Sequence, residues 1–172
     1  MASFTEHDHD RLDWKLFQHG AITLYFRDEF FSEDADWLAQ HAYEIHKIDC
    51  ASSETFQQQM SAALSWNQLF GYEYWNGNLD ALNDGFRHLE IPAEGGLAFC
   101  FKQFNLIKRE NPQWAQGILD VIEWHSHDYM LLGLRLLCLV QSNNPQIAFH
   151  PVGARDVQWN PREWFTASRP ES

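Results

Sequence analysis

Two aspartates, Asp80 and Asp84, stand four residues apart in YEYWNGNLDALNDGF, residues 72–86, of a chain whose formal net charge is already -12. On a helix, like charges at that spacing repel and cost a few tenths of a kcal/mol. A cation is therefore expected to meet them. At roughly 100° per residue, Leu79, Leu82, Phe86 and Leu89 share one stripe about 80° wide. Asp84 then lies opposite that stripe, with Asp80 and Arg87 close to it and Asn83 at its edge. Asn78 is placed to cap the helix by accepting from the amide of Asp80 or Ala81. The same pattern also describes an ordinary solvated face, in which Asp80 favours the helix dipole and Asp84 pairs with Arg87 or His88. The preceding loop adds Tyr72, Tyr74 and Trp75, which suit either an interface anchor or the core.

A second cluster, His125, His127 and Asp128 in HSHD, offers nitrogen and oxygen ligands, so a metal-dependent enzyme is the alternative reading from another class. A solvated helix end accounts for the same residues. No second ligand group with familiar spacing, no Ser or Cys nucleophile motif and no glycine-rich phosphate loop accompanies it. The expectation is a protein without cofactor or metal, and not an enzyme.

Elements that position these groups follow from periodicity and punctuation. AITLYF, residues 21–26, reads as a strand, followed by a helix that Ser32 or Asp34 caps. EIHKIDC, residues 44–50, reads as a second strand, and SSETFQQQMSAAL as a helix with Ser53 at its cap and Phe56, Met60 and Leu64 inward. LDALNDGFRHL is closed by the breaker cluster IPAEGG. LAFCFKQF, residues 97–104, is apolar without alternation, as a strand covered on both faces would be. Pro112 opens a long helix with Trp114, Ile118, Val121 and Ile122 on one side, and LRLLCLVQ, residues 134–141, is a further buried strand. This order predicts an α/β fold: a mainly parallel sheet of three to four strands with helices packed on it, an N-terminal strand–helix and a C-terminal extension. A single domain over 1–172 is expected, with a core at about 44–142, an N-terminal extension at 1–43 and a tail at 143–172. The tail adds an edge strand near Val157 to Trp159. The opening HDHD is expected to be mobile for want of apolar partners.

With 172 residues and 45% hydrophobic composition the chain can bury one good core. Acids outnumber bases 24 to 12, which disfavours nucleic acid as a ligand. Cys50, Cys100 and Cys138 are an odd, widely spaced set, expected as reduced thiols in a cytoplasmic protein. The first residues carry no basic, apolar signal pattern, and MLLGLRLLCLV is too short to span a bilayer, so no membrane partner is expected.

YWNGNLDALNDGF is similar to the signature of the barstar family, intracellular inhibitors of secreted ribonucleases, and the resemblance extends in element order from Glu44 to Ser142. It implies a barstar-like fold and an inhibitor that binds and blocks the active site of a cationic ribonuclease through an acidic helix and aromatic loop. Carried over by position, Asp84 stands in for a substrate phosphate, Asp80 flanks it, and Tyr74 and Asn78 shape the contact. Trp75 and Asn83 belong to the same partner-binding set, and so does Glu123, one position from Trp124, where the family carries a further interface acid. The sequence departs from the pattern at Asn76, which precedes Gly77 where the family's glycine directly follows the aromatic pair, at Asn83, where some members carry tryptophan, and at Gly85, where they carry cysteine. An immunity or interaction module for another basic protein partner keeps the same fold with a different target. Oligomeric state is left open.

Overall fold

A computed structural model describes residues 3 to 165. Its elements run α1 (Leu12–Phe17), β1 (Ile22–Tyr25), α2 (Asp28–Gln40), β2 (Tyr43–Asp49), α3 (Ser53–Ala63), α4 (Trp66–Phe70) and α5 (Leu79–Phe86) in the first half. Then follow β3 (Gly96–Lys102), α6 (Phe104–Glu110), α7 (Pro112–Leu131), β4 (Leu136–Gln141), β5 (Gln158–Trp159) and α8 (Arg162–Phe165). The five strands form one sheet in the order β2-β3-β4-β1-β5, and every pairing is parallel. The expected α/β architecture is present, with β5 at the anticipated place. β1, read as part of an N-terminal extension, lies inside the sheet between β4 and β5.

Side chains of successive strand residues point to opposite faces, and here both faces are covered. Leu97, Phe99 and Phe101 of β3 and Leu136, Cys138 and Val140 of β4 join α3 to α7 in the larger core. Ala98, Cys100, Leu137 and Leu139 pack with Leu16, Phe31 and Leu38 of α1 and α2 on the other side. That is why LAFCF and LLCLV show no alternation. The three cysteines are free and buried.

Several local expectations are corrected. α2 begins at Asp28, four residues ahead of Ser32, so Ser32 and Asp34 lie within the helix and cap nothing. Glu163 serves its N-terminus from across the chain, accepting from the amides of Phe26 and Arg27 at 3.0 and 2.9 Å. Asp34 is buried, accepting from the Tyr25 hydroxyl at 2.5 Å, Asn160 Nδ2 at 3.0 Å and Arg162 Nη2 at 2.5 Å. Ser52, not Ser53, caps α3, accepting from Thr55 N at 3.1 Å, while the Ser53 hydroxyl donates to Glu110. Phe104 starts α6 after Gln103 takes a left-handed φ of 62°, so β3 stops two residues before the expected end. Ahead of α1, His7, His9 and Asp10 of HDHD are exposed, and the packing contacts lie upstream at Phe4. Asp8 accepts from the Thr5 amide at 2.7 Å, Phe4 packs edge-on against Phe17 at 5.6 Å, and Arg135 lies over the Phe4 ring.

Candidate functional site

α5 is held from behind. Leu82 and Phe86 are fully buried, Leu79 packs on the same core, and Asn78 caps the helix by accepting from Ala81 N at 2.9 Å. The helix ends at Phe86, so Leu89 follows it in a turn, its amide donating to the Phe86 carbonyl. Gly85 lies against the indole of Trp66: a Cβ there would sit 2.8 Å from Cζ3. The close approach explains a glycine inside a helix, where it costs about 1 kcal/mol relative to alanine.

Both carboxylates of this helix face water. Asp80 is exposed, in the first turn, and pairs with no cation among the described residues. Asp84 accepts from Arg87 Nη1 at 3.2 Å, with the two side chains 54% and 63% exposed. An ion pair in that much water is worth about 0–1 kcal/mol. Arg87 therefore leaves Asp84 available to a second cation. A half-exposed carboxylate on a fixed helix can accept two parallel N–H bonds from a guanidinium, the strongest common form of such contact.

The loop before α5 divides its aromatics between two jobs. Tyr72 and Tyr74 are each 49% exposed, and a hydrogen bond to Glu73 raises the Tyr74 pKa from its ordinary 10.0. Trp75, expected among the contact residues, is instead buried. Its amide donates to Ser61 Oγ at 2.8 Å and its indole N–H to the Asn78 carbonyl at 2.7 Å, while the ring stacks on Trp114 at 5.7 Å. Trp114 in turn donates its indole N–H to the Gly77 carbonyl at 2.8 Å. Two indoles thus clamp two consecutive loop carbonyls. The left-handed residue of this turn is Gly77 at φ 91°, where a Cβ would meet Gln57, and Asn76 accepts from the Asn78 amide at 3.0 Å. Neither Ser61 nor Trp114 was singled out from the sequence as a loop anchor. Trp114 stands 39 residues from Trp75, and nothing local in QQQMSAAL marks Ser61.

Asn83 is half-buried, its Oδ1 lying 2.6 Å from His125 Nε2 on α7. His125 stacks on Phe86, and burial lowers its pKa from the ordinary 6.5; Arg87 adds to that effect, while Asp128 and the Asn83 contact oppose it. Glu123 is a further correction. Two residues before His125, it projects roughly 200° around α7 and accepts from the Ala21 amide at 2.8 Å, tying the helix to the start of β1. Burial raises its pKa from 4.5. Asp80 and Asp84 are exposed on α5, while Asn78 caps that helix, Asn83 turns to α7 and Glu123 turns to β1. Its neighbour Trp124 is 68% exposed. The HSHD residues scatter around the helix: His125 turns to Asn83, and exposed His127 lies 3.8 Å from Asp128. Among the described residues no group of three His, Cys, Asp or Glu side chains could hold a metal ion.

Residues 40–141 match the family described as Barstar (barnase inhibitor). That stretch is more than half of the 172 residues, and the chain belongs to the barstar family. Members of this family are inhibitors rather than enzymes, with ribonucleases as partners. Neither a curated protein nor a solved structure matches the chain. Among the described residues no helix is long and apolar enough to cross a membrane.

Proposed function

We propose that this member of the barstar family binds and blocks the active site of a cationic ribonuclease. In this reading Asp84 takes the place of a substrate phosphate and Asp80 flanks it. Tyr74 and Asn78 shape the contact, and Asn83 fixes the helix on α7 through His125. Trp75 acts from beneath, as the support of the loop. The observation that carries the reading is two exposed carboxylates one turn apart on a helix whose opposite side is fully buried. Such a group is organised before binding, so little ordering cost falls on association. A net charge of -12 steers a basic partner toward it.

The absence of a disulfide among three buried thiols supports a cytoplasmic site of action. The position of β1 between β4 and β5 supports one domain that includes the N-terminal segment. A second reading, a different basic protein as target, is favoured by Arg87, which places a positive charge inside the acidic face.

The test is inhibition of RNA cleavage by purified small cationic ribonucleases, comparing wild type with Asp84→Ala. Losing a charge-assisted hydrogen bond costs about 1.5–3 kcal/mol, so the inhibition constant should rise at least about tenfold with folding retained. Undiminished inhibition by the variant would remove Asp84 from the mechanism.

A further inference from the structure

Three of the seven large apolar side chains exposed among the described residues lie on α7 or at its C-terminal cap: Trp124 at 68%, Leu131 at 73% and the cap residue Leu132 at 70%. Positions 124, 131 and 132 share a stripe about 100° wide on a helical wheel. Concentrated apolar surface of this kind marks a contact site more often than isolated exposed residues do.

The stripe adjoins the acidic face. Trp124 lines one groove with Arg87, and Arg87 is the residue that pairs with Asp84. A shallow groove of about 250 Å³ runs between the two helices, lined by Arg87, Trp124, His125, Asp128, Tyr129 and Leu132. Packed helix axes lie about 8–10 Å apart, whereas a stable interface covers about 800 Å² on each partner. A protein seated on Asp80 and Asp84 with a footprint of that size covers this groove too.

We propose, resting on the reading above, that Trp124, Leu131 and Leu132 form an apolar half of the same docking face. The partner then sets an apolar, uncharged surface beside its cationic cleft. Arg87 marks the boundary, because its guanidinium repels a second cation placed over the groove and accommodates a carbonyl or carboxylate. A second copy of this chain is the disfavoured occupant, since each copy brings a charge of -12.

The two halves differ in their response to salt. Charge contacts at a protein rim are screened as ionic strength rises, and apolar contacts are not. Inhibition constants are measured against a panel of purified small cationic ribonucleases at low and high ionic strength. Wild type, Asp84→Ala, Trp124→Ala and Leu132→Ala are compared, with circular dichroism to verify the fold. Trp124→Ala should weaken inhibition about tenfold or more at both salt concentrations, as for a central aromatic anchor, and leave the salt slope unchanged. Asp84→Ala should weaken inhibition and flatten the slope. If Asp84→Ala loses inhibition while Trp124→Ala and Leu132→Ala match wild type, the apolar half is refuted and the proposed function stands. If wild type inhibits no ribonuclease of the panel, both fall together. Sedimentation supplies the last arm: a dimer that Trp124→Ala dissolves would assign the stripe to self-association and overturn the proposal.

Discussion

Replacing Gly85 with alanine tests whether α5 is seated by close packing or merely lies on the core. In an open helix Gly→Ala stabilises by about 1 kcal/mol, because alanine loses less backbone freedom on folding. Here the added Cβ would stand 2.8 Å from Trp66 Cζ3, with Trp66 Cε3 and Leu64 Cδ1 both at 3.6 Å. The indole has little room to retreat. It is 1% exposed, Phe70 lies 4.4 Å away, and Tyr72 and Trp75 close the far sides at 6.1 and 6.3 Å. Forcing an extra carbon into a packed core costs about 1–3 kcal/mol, so the net effect of Gly85→Ala is a loss of about 0–2 kcal/mol. At about 2–4 °C per kcal/mol for a chain of this length, thermal unfolding should move downward by a few degrees. Guanidinium titration should report the same loss with an unchanged slope. Because Trp66 also supports Tyr72 and Trp75, inhibition should weaken alongside stability. A variant about 1 kcal/mol more stable than wild type would refute the reasoning, since that is the behaviour of a helix with free space behind it.

Glu123→Gln separates the internal role of that residue from partner contact. Its raised pKa means the protonated form is favoured in the fold, so the stability it contributes is full below 4.5 and lost as pH rises through the raised value. Glutamine keeps an acceptor for the Ala21 amide without the charge. Denaturation midpoints at pH 7 should hold or rise and inhibition stay unchanged; a fall in either contradicts the assignment. His125 carries the opposite sign: its lowered pKa favours the neutral ring, so its contribution is full above 6.5 and declines as pH falls from 6.5 through the lowered value. A proton titration of the imidazole followed by NMR should give a midpoint below 6.5, and a midpoint above it would contradict burial of the ring as the dominant influence. Arg162→Ala strips the buried Asp34 of its cation, leaving Tyr25 and Asn160 as donors. The expected loss is about 1–3 kcal/mol in urea titration, with the inhibition constant unaffected, and equal stability of the two proteins would show that the contact contributes nothing.

How far the sequence spoke depended on whether a residue's role was local. The wheel placed Leu82 and Phe86 inward and Asp80 and Asp84 outward because an eight-residue helix with one covered side obeys its own periodicity. Central strands were readable from unbroken apolar runs. Trp75 and Tyr74 were not separable, since which aromatic turns inward is decided by Ser61 and Trp114, far along the chain. Glu123 and Trp124 differ by one residue on a helix that packs against α5 on one side and the β1 entry on another, so its wheel has no single outward direction. Ser32 and Asp34 looked like caps only while the partner of the α2 terminus, Glu163, remained unseen. α1, α4 and α6 are five to seven residues each, too short to show a period.

Between β4 and β5 sits the strand that the chain makes first. Residues 40–141 include β4 but not Ile22–Tyr25. An excised fragment of only those residues would leave the β4 backbone from Leu136 to Gln141 open on one side, in a segment where Leu136 through Val140 are wholly apolar and fully buried. Bare strand edges of this composition seek pairing with neighbouring molecules. Trimming the protein to its recognisable portion would thus manufacture a sticky seam, and laboratory truncations should retain the upstream residues if they are to stay dispersed in solution.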